Sequence, residues 1–479
     1  MSLEDAAGTR LEVNATGEDR FAAFPVIGAR RRVPLLDGRW VNQIFLDNAA
    51  STKPFQAVSD FLQEIQHYYS NIHRGIGFDS AFCTHRYEEA RDIIGGFVGW
   101  DPSRDVVIPV RNTTEGLNLL ANTIPFEQGD RVLISLLEHH SNDLPWRGKA
   151  RVELIPIDKN GRVDFERLEA QLDPAKGRVR LISITGASNV TGIILPIHDI
   201  AQMAHQHGAY MIVDGAQLVP HRRVRMRSHD DPGHIDFLVF SAHKMNSPYG
   251  EGAVVGRRDL FAAAIPYLQG GGTVYSVSLD HVVWADPPDR QEAGTPNILG
   301  MFAMAKAIQV MEEIGMETVE AHERRLTERL LDGMASIPDI GVLGPKDPAH
   351  TEDRLGVVTF MMAGLHHALV AGILSYEWGI AIRQGCFCAH PLIKNLLNIS
   401  KEQERLFEDE IHRGDRRNTP GAARVSLGVH NISEDVDTFV EALRLIARKE
   451  WKGHYKQDIA TGEFLPENFH FDFSPLPGF

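Results

Sequence analysis

Residues 235–252, IDFLVFSAHKMNSPYGEG, are the stretch that best indicates the fold. The stretch begins as an apolar strand without alternation and reaches Ser241, His243 and Lys244 before a loop that contains glycine and proline. Uninterrupted apolar runs of this length are typical of strands buried on both faces of a parallel sheet. A lysine buried at the end of such a strand has a lowered pKa and becomes a nucleophilic amine. Taken alone, Lys244 could equally reach the surface where the strand ends.

Three more predicted strands end in residues that can bind a ligand. Asp214 and Gln217 follow one strand, Thr113 and Thr114 lead from another into a helix, and His139 follows a third. The carboxyl ends of parallel strands face the ligand crevice of an open α/β sheet. A carboxylate there can keep a ring nitrogen protonated, a helix start can bind an anion, and an imidazole can relay a proton. Each residue alone could be an ordinary turn, cap or core residue, but together they indicate a binding site.

Strand-like and helix-like stretches alternate over residues 45–300, which predicts an α/β domain with a mainly parallel sheet covered by helices. A chain of 479 residues exceeds one ordinary core, and the helix-rich pattern of residues 301–450 predicts a smaller α+β domain. Residues 1–44 are interpreted as an N-terminal arm that packs with the small domain. The aromatic tail, residues 451–479, is expected to lie on its own chain or on a partner subunit.

The formal net charge is −15, and the basic residues form no run longer than the short HRRVRMR stretch, which argues against nucleic acid as a partner. Three cysteines, Cys83, Cys386 and Cys388, are too few for a disulfide framework and favour a reducing cytoplasm. No apolar run approaches the roughly 18 residues that a membrane-spanning helix needs, and the N-terminus lacks the pattern of a signal peptide. We therefore expect a soluble, cytoplasmic protein without a membrane partner, and no metal site.

Nine short motifs occur in a fixed order along the chain: NIHRG, NTTEG, EHHSNDLPW, SNVTG, DGAQLVPH, SAHK, QGGG, EAGTPN and RQGCFCAHP. In combination they resemble the class V aminotransferase family, and within it most of all the group II cysteine desulfurases and selenocysteine lyases. The resemblance extends over about residues 45–431. It implies the type I fold of pyridoxal 5′-phosphate (PLP) dependent transferases, PLP as cofactor, and a homodimer.

The resemblance also implies roles for individual residues. Lys244 would hold PLP as a Schiff base, Asp214 would pair with the pyridinium nitrogen, and Gln217 would bind the phenolic oxygen. His139 would stack on the ring. The residues implied to bind the phosphate are Thr113, Thr114, Ser241, His243 and, from the opposite subunit, Thr295. The residues expected to bind the substrate are Asn189, Arg424, Arg383 and His73.

The loop IRQGCFCAHP matches the family's active-site cysteine loop, and Cys388 stands at the position of the nucleophile. Cys386 departs from the bacterial desulfurase pattern, although a similar CFC loop occurs in molybdenum cofactor sulfurases. The chain between Arg383 and Arg424 is longer than in the compact desulfurase pattern, which predicts an inserted charged helix near residues 392–420. The loop MNSPYGEG after Lys244 is a further departure.

This resemblance predicts a cysteine desulfurase, which converts L-cysteine to L-alanine and leaves a persulfide on Cys388 for transfer to an acceptor protein or small molecule. Lys244, Cys388 and His139 are the expected catalytic residues. The alternatives are a PLP-dependent C–S β-lyase that releases pyruvate from cysteine conjugates or sulfoxides, a selenocysteine lyase, and a non-catalytic scaffold. The β-lyase needs Lys244 but no nucleophilic thiol.

Overall fold

The structure is a computed structural model that describes residue 21, residues 23–158 and residues 162–478. Nearly half of the predicted N-terminal arm, residues 1–20 and residue 22, lies outside the described residues. The strands in chain order are β1 Arg32–Pro34, β2 Trp40–Asn42, β3 Ile44–Phe45, β4 Asp105–Val110, β5 Arg131–Ile134, β6 Arg151–Leu154, β7 Val179–Thr185, β8 Tyr210–Asp214, β9 Phe237–Ser241, β10 Gly252–Arg257, β11 Val274–Val277, β12 Val282–Trp284, β13 Ile340–Leu343, β14 Val357–Met362, β15 Ile380–Ala381, β16 Arg383–Gly385, β17 Ala422–Ser426, β18 Tyr455–Gln457 and β19 Phe464–Pro466.

The helices connect these strands and cover the sheets. In chain order they are α1 Gln56–Ile65, α2 Phe78–Val98, α3 Thr113–Thr123, α4 Leu144–Arg147, α5 Phe165–Leu172, α6 Ile197–Gln206, α7 Arg258–Ala263, α8 Ile298–Ile314, α9 Met316–Ala335, α10 His367–Trp378, α11 His390–Leu396, α12 Lys401–His412 and α13 Ser433–Ala447. Among the described residues, no helix is long and apolar enough to cross a membrane.

Within the described chain, the larger body is built on a seven-stranded sheet with the order β4-β10-β9-β8-β7-β5-β6. Neighbouring strands from β9 to β6 run parallel, whereas β10 is antiparallel to both β9 and β4. Successive side chains of β8 enter two different cores, Met211 and Val213 on one face and Ile212 on the other. Both faces are therefore buried, as the uninterrupted apolar runs predicted. The predicted mainly parallel α/β sheet is confirmed.

A second, smaller body contains the antiparallel sheet β13-β14-β17-β16. Its core is formed by β14 and β17 together with the apolar faces of α9, α10 and α13. Helix α8, in contrast, is buried in the core of the larger body together with α2. The short strand β3 pairs with β15, so the chain around residue 45 joins both bodies. The domain limits drawn from the sequence stay a prediction.

The extra chain between Arg383 and Arg424 forms two helices, α11 and α12. Helix α12 has no buried residue, and Lys394 of α11 forms an ion pair with Glu404 of α12.

The C-terminal tail contacts its own chain. The ring of Phe471 stacks on Tyr376 with 5.0 Å between centroids, and the Tyr455 hydroxyl donates to Glu377 at 3.0 Å. The tail thereby covers the outer face of α10.

Histidines and acidic residues hold the loop before β9. The ring nitrogens of His205 and His234 lie near the Asp236 carboxylate, with all ligand atoms within 4.8 Å of one another. However, the two rings are stacked, with centroids 4.0 Å apart and 16° between planes. One ion could therefore not lie in the plane of both rings, as imidazole coordination requires. Arg257 also pairs with Asp236 at 3.2 Å. We interpret the group as a support for this loop.

Candidate active site

The carboxyl ends of the parallel strands and one edge of the smaller body enclose a cavity of about 470 Å³. This volume lies within the range of cavities that bind small cofactors and substrates. The register of the sheet aligns the strand ends, since Gly252 of β10 pairs with Ser241 of β9 and Val110 of β4. The expected site residues that line the cavity are Lys244, Asp214, Gln217, His139, Thr113, Thr114, Ser241, His243, Asn189, Arg424, Arg383 and Cys388.

Lys244 is the last residue of a short 3-10 turn that follows β9. Burial lowers the pKa of Lys244 to about 8, although the negative charge of Asp214 opposes this shift. Asp214 ends β8, is buried, and accepts a hydrogen bond from the Ala216 N–H at 3.0 Å. Burial raises the pKa of Asp214. The cavity thus contains an amine that is half deprotonated near pH 8 and a carboxyl group shielded from water.

His139 caps a short 3-10 helix after β5, and its ring lines the cavity. The Ser141 N–H donates to Nδ1 of His139 at 3.1 Å. Burial lowers the pKa of His139 to about 4, and the positive charge of Lys244 contributes to the shift. The ring is therefore neutral at pH 7, with its proton on Nε2.

Hydroxyl groups gather at the start of α3. Asn112 is the N-cap, and its side chain accepts a hydrogen bond from Glu115 N–H at 3.0 Å. Thr113 donates its backbone N–H to Ser241 Oγ at 2.8 Å, and the two hydroxyls are 2.7 Å apart. The Thr114 hydroxyl is 2.7 Å from that of Ser141. Together with the positive end of the helix dipole, these groups form a site suited to an anion such as a phosphate.

Two of the predicted cofactor residues also have partners within the chain. Gln217 donates its side-chain amide to the backbone oxygen of Ala49 at 2.7 Å, which leaves the second amide hydrogen for another acceptor. The backbone oxygen of His243 accepts from the Thr52 N–H at 2.9 Å. Burial lowers the pKa of His243 to about 4. Both side chains line the cavity, and their roles toward a cofactor stay predictions.

Arg424 lies on β17, with only 2% of its side chain exposed. Its Nη1 donates to the backbone oxygen of Asn189 at 3.0 Å, its Nη2 donates to Asp47 at 3.1 Å, and its guanidinium lies 4.9 Å from the ring centroid of Phe387. Arg383 binds the same Asp47 carboxylate through Nε and Nη2 at 2.9 and 2.8 Å. Two cations and one carboxylate leave this end of the cavity with an excess positive charge.

The two thiols of the CFC sequence lie in different surroundings. Cys388 is exposed and lines the cavity, whereas Cys386 is partly buried and donates its S–H to the Pro420 oxygen at 2.8 Å. Burial raises the pKa of Cys386 to about 11, so this thiol stays protonated at neutral pH. Phe387 and Cys388 both have a φ of 53°, which costs about 1–3 kcal/mol for each residue. The turn therefore presents Cys388, and not Cys386, to the cavity.

Two expected site residues do not line this cavity. Thr295 and His73 line a separate cavity of about 270 Å³ together with Gly271, Gly272 and Glu292. His73 is 2.9 Å from Glu88, and this carboxylate raises the pKa of His73. Within a single chain, His73 is thus kept apart from the other expected substrate residues. Thr295 was expected to act on the site of the opposite subunit.

Sequence reasoning missed Asp47 and the small residues that follow it. Ala49 and Ala50 line the cavity, and Asp47 binds both arginines. In the sequence FLDNAAST, a carboxylate and two alanines follow a short apolar strand, but this pattern does not distinguish them as site residues. That strand, β3, is only two residues long, which is too short for a periodic pattern.

The lowered pKa of Lys244 predicts an unusual reactivity in the cofactor-free protein. An amine with a pKa of about 8 is half deprotonated near pH 8, whereas an ordinary lysine needs a pH above 10. Acetylation of Lys244 by a dilute acylating reagent should therefore rise with pH to a half-maximum near pH 8. Peptide mass spectrometry over a pH series measures this, with exposed Lys401 as the internal reference. A Lys244 profile that coincides with that of Lys401 would contradict the lowered pKa of Lys244.

A family model described as aminotransferase class-V matches residues 44–439 of the chain. A cysteine desulfurase of Haloferax volcanii is 34% identical over 409 residues, which cover 84% of this chain and 88% of that protein. A cysteine desulfurase of an Enterobacter species is 35% identical over 437 residues, which cover 88% of this chain and 98% of that protein.

Two solved structures are similar over most of the chain. The apo cysteine desulfurase of Thermococcus onnurineus has 32% sequence identity and a TM-score of 0.74, and the match covers 85% of this chain and 95% of that one. The Escherichia coli cysteine desulfurase CsdA, in an S-sulfonic acid form, has 27% identity and a TM-score of 0.74, with 91% and 100% covered.

Proposed function

The chain belongs to the class-V aminotransferase family, and on this basis we propose that it is a cysteine desulfurase that uses PLP to take sulfur from L-cysteine. The family resemblance expected from the motifs, and with it the type I fold, is thereby confirmed. The observation that carries the proposed function is the pairing of two groups in one cavity. The buried amine of Lys244 and the exposed thiol of Cys388 both line it.

The residues of the cavity fit PLP. A covalent link needs a lysine whose amine is uncharged, and burial lowers the pKa of Lys244 to about 8. The pyridine nitrogen needs a carboxylate, which Asp214 supplies, and the phosphate needs hydroxyls at a helix start, which Thr113 and Thr114 supply. When bound, PLP withdraws electrons from the Cα of the amino acid and so weakens its Cα–H and Cβ–S bonds.

Lys244 has a second role as the group that moves protons. With PLP and L-cysteine bound, the Lys244 amine would be the base nearest to the substrate, and a pKa of about 8 would allow it to accept the Cα proton and return it. Asp214 and His139 would hold the ring of PLP, Asp214 through its nitrogen and His139 through its neutral imidazole. Gln217, Ser241 and His243 would complete the cofactor site, the first at the phenolic oxygen and the others at the phosphate.

The excess positive charge at the far end of the cavity orients the substrate. Arg424 binds the carboxylate of L-cysteine as a guanidinium fork, and Arg383 and Asn189 lie beside it. This position directs the side chain of the substrate toward the loop that carries Cys388. The cavity thereby holds the amino, carboxylate and thiol groups of one small amino acid at three separate points.

Cys388 then acts as the nucleophile. Its thiolate sulfur bonds to the substrate sulfur while the Cβ–S bond breaks, the electron pair of that bond stays on carbon, and a proton completes L-alanine. The product on the protein is a persulfide on Cys388. Because Cys388 is exposed, an acceptor protein or a small thiol can reach the outer sulfur, which makes a sulfur acceptor the expected partner.

The separate cavity with Thr295 and His73 supports a homodimer in which each subunit completes the other's site. Around it, the chain exposes large apolar side chains that are costly to leave in water. The β11–β12 hairpin carries several of them, and its tip residue Leu279 is fully exposed. The exposed apolar residues in this region are Ile76, Phe78, Ile265, Leu268, Tyr275, Val277 and Leu279.

The products formed from L-cysteine test the proposed function. Purified protein supplied with PLP and L-cysteine, with a reducing thiol as sulfur acceptor, should release L-alanine and sulfide in equal amounts. With one equivalent of L-cysteine for each active site and no other thiol, about one equivalent of L-alanine should appear without free sulfide, because the sulfur then stays on Cys388 as the persulfide. Chromatography of the amino and keto acids measures the outcome. Pyruvate in place of alanine would reject the desulfurase and favour the C–S β-lyase.

A further inference from the structure

His140, a residue of the larger body, contacts the loop that carries Cys388. Its backbone N–H donates to the backbone oxygen of Cys388 at 2.8 Å, and its ring Nε2 accepts the backbone N–H of His390 at 3.1 Å. The imidazole rings of His140 and His390 also pack edge to face, with 4.6 Å between their centroids. His140 is thus hydrogen-bonded to the residue before Ala389, Cys388, and to the residue after it, His390.

The ring contact supplies a cap that the local sequence lacks. Helix α11 begins at His390, and its N-cap residue, Ala389, has no side chain that could accept a hydrogen bond. The first N–H groups of a helix need an acceptor from outside the helix. Nε2 of His140 is that acceptor for His390, although the two residues are 250 positions apart in the sequence.

The loop needs such support because its backbone is strained. Phe387 and Cys388 both adopt the left-handed conformation with a φ of 53°, which residues with a side chain rarely adopt. A second contact of the larger body, from the Asn189 side-chain amide to the Phe387 oxygen at 2.8 Å, also holds this turn. Without these contacts, the turn is free to relax and to move the thiol away from the cavity.

We propose that His140 is a positioning residue, which caps helix α11 from the larger body and thereby fixes the Cys388 thiol over the cofactor cavity. The inference rests on the proposed function, because it assigns Cys388 the task of receiving sulfur. His139 is the preceding residue and lines the same cavity, so the dipeptide links the cofactor site to the cysteine loop.

The acceptor role requires that Nε2 of His140 carries no proton. Burial lowers the pKa of His140. The negative charge of Asp143 opposes this shift and the positive charge of Arg147 adds to it, and the net lowering favours the neutral ring at pH 7. Glutamine places its amide oxygen at nearly the same distance from the backbone as Nε2, and it keeps an acceptor for His390. His140→Gln is therefore the conservative variant, and His140→Ala removes the cap while leaving the backbone contact to Cys388 in place.

Loss of the cap should lower the rate of sulfur transfer more than it weakens the binding of L-cysteine. At the magnitudes known for helix N-caps, loss of a cap changes the equilibrium constant between the ordered and the relaxed helix start by a factor of about 2 to 30. His140→Ala should lower kcat for L-alanine release by about this factor, with little change in KM for L-cysteine or in the absorbance of bound PLP. His140→Gln should recover most of the rate. His198→Ala is the control, because the His198 ring also forms a hydrogen bond with the backbone, in this case donated from Nδ1 to the Gly233 oxygen at 2.8 Å, and His198 does not line the cavity.

Hydrogen exchange in the holoenzyme tests the same contact without chemistry. In His140→Ala, the amides of residues 386–396 should exchange faster, while the peptide that carries Lys244 should be unchanged. His140→Gln should restore the protection. Unchanged exchange of residues 386–396 in His140→Ala, or a glutamine variant as impaired as the alanine variant, would overturn the positioning role. Because exchange needs no turnover, release of pyruvate by the wild type would reject the proposed function without deciding this result.

Discussion

Replacement of Lys244 by alanine is expected to remove the L-cysteine activity almost completely. The loss of proton transfer alone should lower the rate about 100- to 10,000-fold, and the loss of the covalent link to PLP adds to it. The mutation removes an amine whose pKa burial has brought down to about 8, near the working pH. No other lysine is found among the described residues that line the cavity.

Lys53→Ala is the matched control for this variant. Lys53 is also partly buried and has a lowered pKa, but its ammonium lies 4.8 Å from the ring of Phe45 and outside the cavity. Lys53→Ala should therefore keep the activity. In the wild type, borohydride reduction should fix PLP on the peptide that contains Lys244, as mass spectrometry can show. A label on another lysine, or an active Lys244→Ala variant, would refute the cofactor assignment.

The second large effect is expected for the nucleophile. Cys388→Ala should still bind PLP and L-cysteine and change the absorbance of the bound cofactor, because Lys244, Asp214 and His139 are intact. Alanine release should fall to background, because no thiol is left at the cavity to receive the substrate sulfur. A spectral titration combined with an alanine assay measures both properties on one sample.

The chain provides its own control two positions away. Cys386 donates its S–H to Pro420 and has a pKa raised to about 11, so it forms little thiolate at neutral pH. Cys386→Ala should keep most of the activity. If Cys388→Ala released alanine at the wild-type rate, or if the two variants lost activity equally, the assignment of the nucleophile would be wrong.

The sequence was sufficient to predict the large sheet and the part of the site that is formed by residues at the ends of its strands. Lys244, Asp214, His139 and Thr113 each follow an apolar strand, and parallel strands bring their carboxyl ends to the same edge. The hydrophobic pattern of each strand is a local property of the sequence. It therefore predicts where each strand ends and which residues lie at that end. The family resemblance added their expected roles and the nucleophile.

The contacts between distant segments could not be predicted in the same way. Asp47 meets Arg383 and Arg424, more than 300 residues further along the chain, after a strand of two residues that no pattern reveals. His140 reaches the helix after Cys388 through tertiary packing alone. The predicted inserted helix near residues 392–420 is found as two helices, α11 and α12, because Asn398 adopts a left-handed conformation between them.

The central claim is that Cys388 receives the sulfur of L-cysteine. Mass spectrometry of the wild type after treatment with L-cysteine, without a reducing thiol, tests it most directly. The account predicts one additional sulfur atom on the peptide that contains Cys388, lost on reduction, together with one L-alanine for each modified site. An unmodified Cys388 in a protein that has consumed L-cysteine and released pyruvate would contradict it.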